Sequence, residues 1–355
     1  MRRPGFRAAL CAAALVGAAA GPALGQDAND EDDWVATLQV ENEFFIPGKN
    51  DDRYYTQGLQ LNVLTPSRSS PIAGRARELP FLDPNASYRG GFVIGQNIYT
   101  PEDLTLPEPD PKDRPYAGWL YVGGEVMTYS EKRLDSLQLQ VGVVGPQALG
   151  GWTQNNWHKH VNHIDEAQGW KHQLKNEVAF VLYGERRWRP IELWPRPRAG
   201  QDGRGERTEG LSVDFTPAAN VALGTVQVSG GLGGTLRVGT HLAEDYGAPR
   251  IRPAPSGSSF FGPSNEFAWY AYAGTEVKGV ARDIFLDGNT FKDSRRVDKR
   301  PWVQEFQAGV VARIWRLRVT YANVWRTEEF LGQNGDSHFA AVTVGFSTGL
   351  LARPR

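Results

Sequence analysis

The chain has 355 residues, with 39 Lys+Arg against 40 Asp+Glu, a single cysteine and a mean hydropathy of −0.45. That balance offers no reason to expect nucleic acid as a partner, and one cysteine cannot form an internal disulfide. Length alone allows one large domain or two.

Residues 1–25 read as a signal peptide: Arg2, Arg3 and Arg7 form a basic start, Ala8 to Ala20 a short apolar run, and Ala23-Leu24-Gly25 a small-residue cleavage site. Its removal takes Lys+Arg from 39 to 36 against 40 acids, a net charge near −4. Cys11 leaves with it, and Leu10 before it is not the small residue a lipoprotein site requires. The mature chain, 26–355, then has neither a disulfide nor a thiolate metal site, as is usual for exported bacterial envelope proteins.

After residue 25 no run carries the roughly 20 apolar residues of a membrane helix. The periodicity is instead that of strands. Apolar and polar residues alternate along Gln57–Val63, Leu137–Val141, Val226–Val238 and Trp315–Trp325. Twelve candidates follow in order: Trp34–Phe45, Tyr54–Thr65, Gly90–Ile98, Tyr116–Tyr129, Asp135–Val144, Leu174–Trp188, Gly210–Ala222, Thr225–Gly239, Glu266–Leu286, Trp302–Ile314, Trp315–Thr327 and His338–Ser347. Twelve is an even number, the segments approach the roughly 9 to 11 residues of a tilted crossing, and tryptophans close the apolar face of Trp315–Trp325. The fold expected is all-β, a single twelve-stranded antiparallel transmembrane β-barrel over 26–355, in preference to a soluble barrel with its apolar face inward. Tight turns such as Leu223-Gly224 are expected on one side, and long connections such as 188–209 and 240–265 on the other.

Three groups of residues could carry chemistry. Glu41-Asn42-Glu43 interrupts the first strand, with Glu41 and Glu43 on the lumen parity and Asn42 on the opposite face unless the strand ends or bulges there. A solvated strand end is the plainer explanation. Thr56 falls on the polar face with Gly58, Gln60 and Asn62, where a threonine is ordinarily just a strand former. The loop 145–170 holds His158, His160 and His163 with Asp165 and Glu166, shaped by Pro146, Gly150, Gly151 and Gly169, with Trp157 and Trp170 as membrane anchors. Three histidines invite zinc. However, no carboxylate stands at a familiar ligand spacing, and one histidine as general base beside carboxylates for a hard cation suits the composition better. A surface loop with incidental histidines is the plain alternative.

Seven motifs occur in register: Glu41-Asn42-Glu43-x-Phe45, Asp52-Arg53-x-Tyr55-Thr56-x-Gly58, Gln96-Asn97-Ile98-Tyr99-Thr100-Pro101, Asp113-Arg114-Pro115-Tyr116-Ala117-Gly118, Gly145-Pro146, Gln154-Asn155-x-x-His158-Lys159 and Gly169-Trp170-x-x-Gln173-Leu174-x-x-Glu177. Together they resemble the outer-membrane lipid A 3′-O-deacylase family of the LpxR type, closely over about 34–190 and by pattern beyond. The resemblance implies a twelve-stranded outer-membrane barrel and a calcium-dependent hydrolase that removes the 3′-linked acyloxyacyl chain of lipid A. It makes His158 the general base, with Gln154, Asn42 and Thr56 as further site residues. It also implies Glu43 and the acidic pair Asp165 and Glu166, of which Glu166 fits without a gap, as the carboxylates for Ca2+. At Glu43 the family pattern usually has aspartate, and one extra methylene displaces a carboxylate by about 1.5 Å, enough to alter a calcium shell.

Such a reaction needs an activated water and a positive counterpart for the developing oxyanion. Lys112, Arg114 and Lys159 are candidates for the lipid phosphates, or simply solvated. Two other classes compete: an outer-membrane phospholipase with Ser136 or Ser212 as nucleophile, and a non-enzymatic, porin-like barrel. Lipid A and the outer membrane are the partners expected, and the sequence points to no protein partner.

Overall fold

The computed structural model describes residues 33–48, 52–66, 82, 86–130, 132–188, 190–194, 210–242 and 264–348. Residues 1–25, read as a signal peptide, lie outside them. The strands are β1 (Trp34–Asn42), β2 (Tyr54–Leu64), β3 (Ser87–Thr100), β4 (Ala117–Tyr129), β5 (Arg133–Val144), β6 (Glu177–Trp188), β7 (Ile191–Trp194), β8 (Ser212–Gly224), β9 (Gln227–Gly239), β10 (Ser264–Asp283), β11 (Trp302–Trp315), β12 (Leu317–Arg326) and β13 (Ser337–Thr348). Each pairs with its neighbour in sequence apart from β6 and β7, β1 pairs with β13, and β6 pairs with β8, so the sheet closes. The short β7 is β6 resumed after Pro190: Arg187 faces Ala218 of β8, and Ile191 faces Phe215. Proline offers no amide hydrogen to a ladder, which accounts for the break. Thirteen segments thus fill twelve strand positions, and the barrel is the twelve-stranded antiparallel one the periodicity predicts. No helix among the described residues is long and apolar enough to cross a membrane.

The alternation has one sense around the wall. Leu59, Leu61, Phe92, Ile94, Val122, Leu139, Val178, Phe180, Leu232 and Val310 point outward and are exposed, whereas Gln60, Asn62, Glu125, Gln138, Glu185, Arg237, Glu276 and Arg318 are buried inside. Apolar outside and charged inside is the inverse of a soluble barrel. The lumen is filled, with Tyr55, Tyr99, Trp119, Tyr121, Tyr183, Tyr270, Tyr272 and Phe285 in one buried cluster. Several of its charges are paired: Arg237 with Asp214 at 2.6 Å, Arg326 with Glu305 at 2.9 Å and Arg114 with Glu329 at 3.1 Å. Pairing is what makes charge tolerable at such burial.

Loop lengths do not segregate as expected. β1 begins and β13 finishes at one end of the barrel. At that end the tight Trp315-Arg316 turn alternates with the long connections from Trp194 to Ser212 and from Gly239 to Ser264, while the tight Gly224 turn lies at the opposite end. Trp315 adopts φ 54° in its turn, so the tryptophan expected to open a strand forms a corner instead. The opposite end carries the connections 43–53, 101–116, 145–176, 284–301 and 327–336, and the candidate site.

Candidate active site

β1 stops at Asn42, three residues short of the Phe45 expected from the sequence. The Asn42 Oδ1 accepts from the Phe44 amide at 2.7 Å and caps a 3-10 turn, Glu43–Phe45. Asparagine is well suited to this cap, because its short side chain reaches back to the backbone two residues on. Glu41 and Glu43 therefore do not share the lumen as their parity suggests. Glu41 faces inward and accepts from the Tyr55 hydroxyl and from Gln39, while Glu43 is buried at the start of the turn.

Thr56 is also displaced from the face its parity assigns. Opposite β3, Tyr55 pairs with Tyr99 and Gln57 with Ile98, so Thr56 is the extra residue of a bulge. Tyr55 keeps the inward position against Tyr99 and Phe339. Thr56 turns outward to meet Thr100, with 2.6 Å between their hydroxyls. Re-aiming one side chain is a common use of a bulge beside a site.

The stretch 145–176, read as a glycine-rich loop, is largely helical. A 3-10 turn at Pro146–Ala148 leads into α1 (Gly150–Trp157), then a π-turn at His158–Asn162 and a 3-10 turn at Gly169–His172. It lies against the outside of the wall. Gln96 and Thr100 share outward parity with Phe92 and Ile94, yet they are buried, and Gln96 donates to the Ala148 carbonyl at 2.6 Å. The glycines allow this approach. A Cβ on Gly150 would stand 2.7 Å from the Trp170 ring, and one on Gly118 of β4 3.1 Å from Ala148. Trp170 is not a membrane anchor: it is buried against Tyr116, and its Nε1 donates to Gln154 Oε1 at 2.8 Å. Leu149 and Trp152 are the exposed apolar side chains of this segment.

The packing brings His158 to Asp52, a residue the sequence motifs include but that carried no role. His158 Nε2 lies 2.6 Å from Asp52 Oδ2, and both side chains are almost fully buried, at 1% and 2% exposure. His158 Nδ1 lies 2.7 Å from the Asp165 carbonyl. Burial alone would push the imidazole below its usual value, but the Asp52 carboxylate and the Asp165 carbonyl outweigh it and the net shift is upward. Asp52 is fixed in turn, its carbonyl accepting from Thr56 at 3.1 Å and from Thr100 at 2.9 Å. Its φ of 48° is a left-handed backbone position that aspartate tolerates better than most residues. Asn42 Nδ2 donates to the Thr56 carbonyl at 3.0 Å. Asn42, Asp52, Thr56, Thr100 and His158 thus form one connected patch on the outer wall, with Gln154 on the same helical segment as His158.

Two buried atoms of this region, Asp52 Oδ1 and Gln154 Nε2, have no hydrogen-bond partner among the described residues. Atoms of this kind point to a ligand, ion or water. Asp165 and Glu166 expose their side chains, and Asp165 contributes its backbone oxygen to His158. His160 and His163 are exposed as well, and no three His, Asp or Glu side chains among the described residues converge on a metal position. Arg114 is fully buried with Glu329, on the face of Tyr99, and so is remote from any lipid phosphate, whereas Lys112 and Lys159 are exposed.

Apolar side chains outside, charges inside and a helix pressed on the outer wall place the molecule in a bilayer: it is an outer-membrane β-barrel of the bacterial type. Within that class the chain belongs to the LpxR family, described as outer membrane protein LpxR, whose profile matches residues 9–348. Among solved structures, LpxR from Salmonella typhimurium aligns with a TM-score of 0.68 at 19% identity, over 88% of this chain and 99% of that one. The β domain of the Bordetella autotransporter BrkA aligns at 0.42 and 11% identity, over 90% of this chain and 99% of that one. No curated protein matches the sequence.

Proposed function

We propose that the protein is a lipid A 3′-O-deacylase, a carboxylic ester hydrolase that cleaves the ester holding the 3′-acyloxyacyl chain, with His158 as general base and calcium as the cofactor. The observation that carries this reading is where the His158–Asp52 pair lies: outside the barrel wall, beneath α1, at the end opposite the chain termini. With that end outward, a lipid of the outer leaflet reaches the pair without entering the filled lumen. A porin-like role would leave this buried pair unused.

The hydrogen bonds support one tautomer for the proposed base. A carbonyl only accepts, so the Asp165 oxygen holds a proton on Nδ1; the Asp52 carboxylate also only accepts and holds one on Nε2 while the pair is made, so Nε2 takes a proton from water only in the neutral imidazole. Asp52 Oδ2 occupies that direction at 2.6 Å, so the productive form has the Asp52 carboxylate turned aside. The Asp165 carbonyl is the less mobile partner, because Asn155 Oδ1 accepts from the Ala167 amide, two residues on, at 3.0 Å. Gln154 Nε2 is a buried donor for the ester or water oxygen. Asn42 and Thr56 act by position, the first capping the turn that carries Glu43 and the second holding Asp52.

Asp52 offers a carboxylate oxygen and Thr56 and Thr100 hydroxyls beside it, donors a hard cation takes, and the orphaned Asp52 Oδ1 is the observation that supports the fit, with Glu43, in the turn that Asn42 caps, as a further candidate ligand. Asp165 and Glu166 are further candidates, with neutral oxygens and water to complete a shell. Calcium bound there would polarise the ester carbonyl and stabilise the oxyanion. The phospholipase alternative loses its nucleophiles: Ser136 lies eight residues down β5 from Val144, about 26 Å along the strand, and Ser212 opens β8 at the same far end.

The test is mass spectrometry of lipid A from cells expressing the protein, with and without a calcium chelator. Loss of one acyloxyacyl group, prevented by the chelator, is expected, and unaltered lipid A in untreated cells overturns the reading. Equal calcium dependence in wild type, Glu43→Asp and Glu43→Ala would remove Glu43 from the metal shell.

A further inference from the structure

On the flank next to the one that α1 covers, the outer wall carries a groove of about 500 Å³ between β5, β6 and β8, within the range of small-ligand pockets. Its floor is Gly184 and Ala219, and its sides are Leu137, Leu182, Val221, Leu223 and Trp188. A Cβ on Gly184 would meet only Val221 at 3.3 Å and Leu137 at 3.9 Å, so the floor is bare because a side chain is missing there. The groove follows the seam where β6 pairs with β8 only from Val181 to Arg187.

Toward the terminal end the same outward face becomes charged. Asp135 Oδ1 receives Arg186 Nε at 2.6 Å and its Oδ2 receives Arg186 Nη2 at 3.2 Å, and Arg133 Nε stands 2.9 Å from the same Oδ2. Two guanidinium groups on one carboxylate leave a net positive charge, and Lys132 is exposed beside them. Arginine on a lipid-facing wall costs about 2–4 kcal/mol at mid-membrane and little at the interface. With Trp188 alongside, this cluster marks the level of the headgroups.

We propose that the groove is a binding site for one glycerophospholipid of the periplasmic leaflet, with an acyl chain lying over Gly184 and the phosphate at Arg133 and Arg186. A bare apolar channel that ends in net positive charge at the interface matches a lipid with an anionic head, and guanidinium groups pair readily with phosphate oxygens. The site is separate from the His158 patch in both strands and membrane depth.

Native mass spectrometry of the delipidated mature protein in mild detergent tests this, with phosphatidylglycerol and phosphatidylcholine titrated as probes. One retained phosphatidylglycerol per protein is expected, bound more tightly than phosphatidylcholine. Arg133→Gln should weaken it by about tenfold, the loss of one charge-assisted hydrogen bond, and Gly184→Phe should abolish both adducts. Heat-modifiable gel mobility reports that each variant is folded, and deacylation of lipid A should be unchanged in both. Equal phosphatidylglycerol binding in wild type and both variants, or a protein dimer where the lipid adduct is expected, overturns the proposal. Because the readout is lipid retention, it stands or falls independently of the deacylase activity.

Discussion

The outward face of the wall meets two fates. Along β9 to β11, Leu232, Leu236, Val277 and Val310 point outward and remain exposed. At the site end of β3, Gln96, Ile98 and Thr100 occupy the same face and are buried. The alternation is identical, and what differs is that the connection 145–176 folds back onto one sector and none of the described connections covers the other. The covered sector carries Gln96 and Thr100 outward beneath the loop, whereas the bare one is mostly apolar and its outward Gln304 and Thr275 meet each other at 3.4 Å. A membrane barrel makes a lipid-facing site by sealing such polar positions under a loop, since an uncovered polar group in hydrocarbon is costly.

Substitutions on the two sectors should differ in effect. Asp52→Asn has the largest expected consequence after loss of His158 itself, a fall in kcat of about 10²-fold, because it removes the carboxylate that partners His158 and is offered to the proposed cation. It also changes the pH profile in a defined direction. A base must be neutral, and Asp52 helps hold the His158 value above the ordinary one, so wild-type activity falls on the acid side at a raised pH. In Asp52→Asn that limb moves to lower pH, and a pH–rate profile with an unmoved limb contradicts the pairing. The same pair contributes stability that is full below the unfolded histidine value and is lost as pH rises through the folded one. Asp52→Asn should remove that slope in thermal unfolding.

Gly150→Leu comes next. A leucine there drives into the Trp170 ring, so α1 must lift from the wall at a cost of about 1–3 kcal/mol, with activity falling while the barrel remains folded. Thermal unfolding and gel mobility separate these outcomes. Leu232→Ala on the bare sector is expected to change stability by no more than about 0.5 kcal/mol and to leave deacylation unaltered. A large loss of activity from Leu232→Ala would mean that the bare sector also handles substrate.

Much of this contrast could be read from the chain. Strict alternation from Gln57 to Val63 and from Leu137 to Val141 sets which residues share a face, and the count of strand positions follows from it. The order of motifs singles out His158. Parity failed at Thr56 and Glu43, because a bulge and a capped turn each move one residue off the strand's repeat, and neither leaves a mark in a hydropathy pattern. Asp52 escaped because its role depends on a contact with a residue 106 positions away. Gln96 and Thr100 did leave a signal: two polar residues on an otherwise apolar face with Phe92, Ile94 and Ile98. The helical character of 150–157 was hidden by Gly150 and Gly151, residues ordinarily poor in helices and present here for close packing against Trp170 and β4.

The central claim is that the His158–Asp52 pair on the outer wall hydrolyses an ester of lipid A. The most direct measurement is release of the acyloxyacyl fatty acid from lipid A in proteoliposomes containing calcium, wild type against His158→Ala, read by mass spectrometry. The account predicts release by the wild type and a loss of at least about 10²-fold in the variant. Release at the wild-type rate by folded His158→Ala would contradict it.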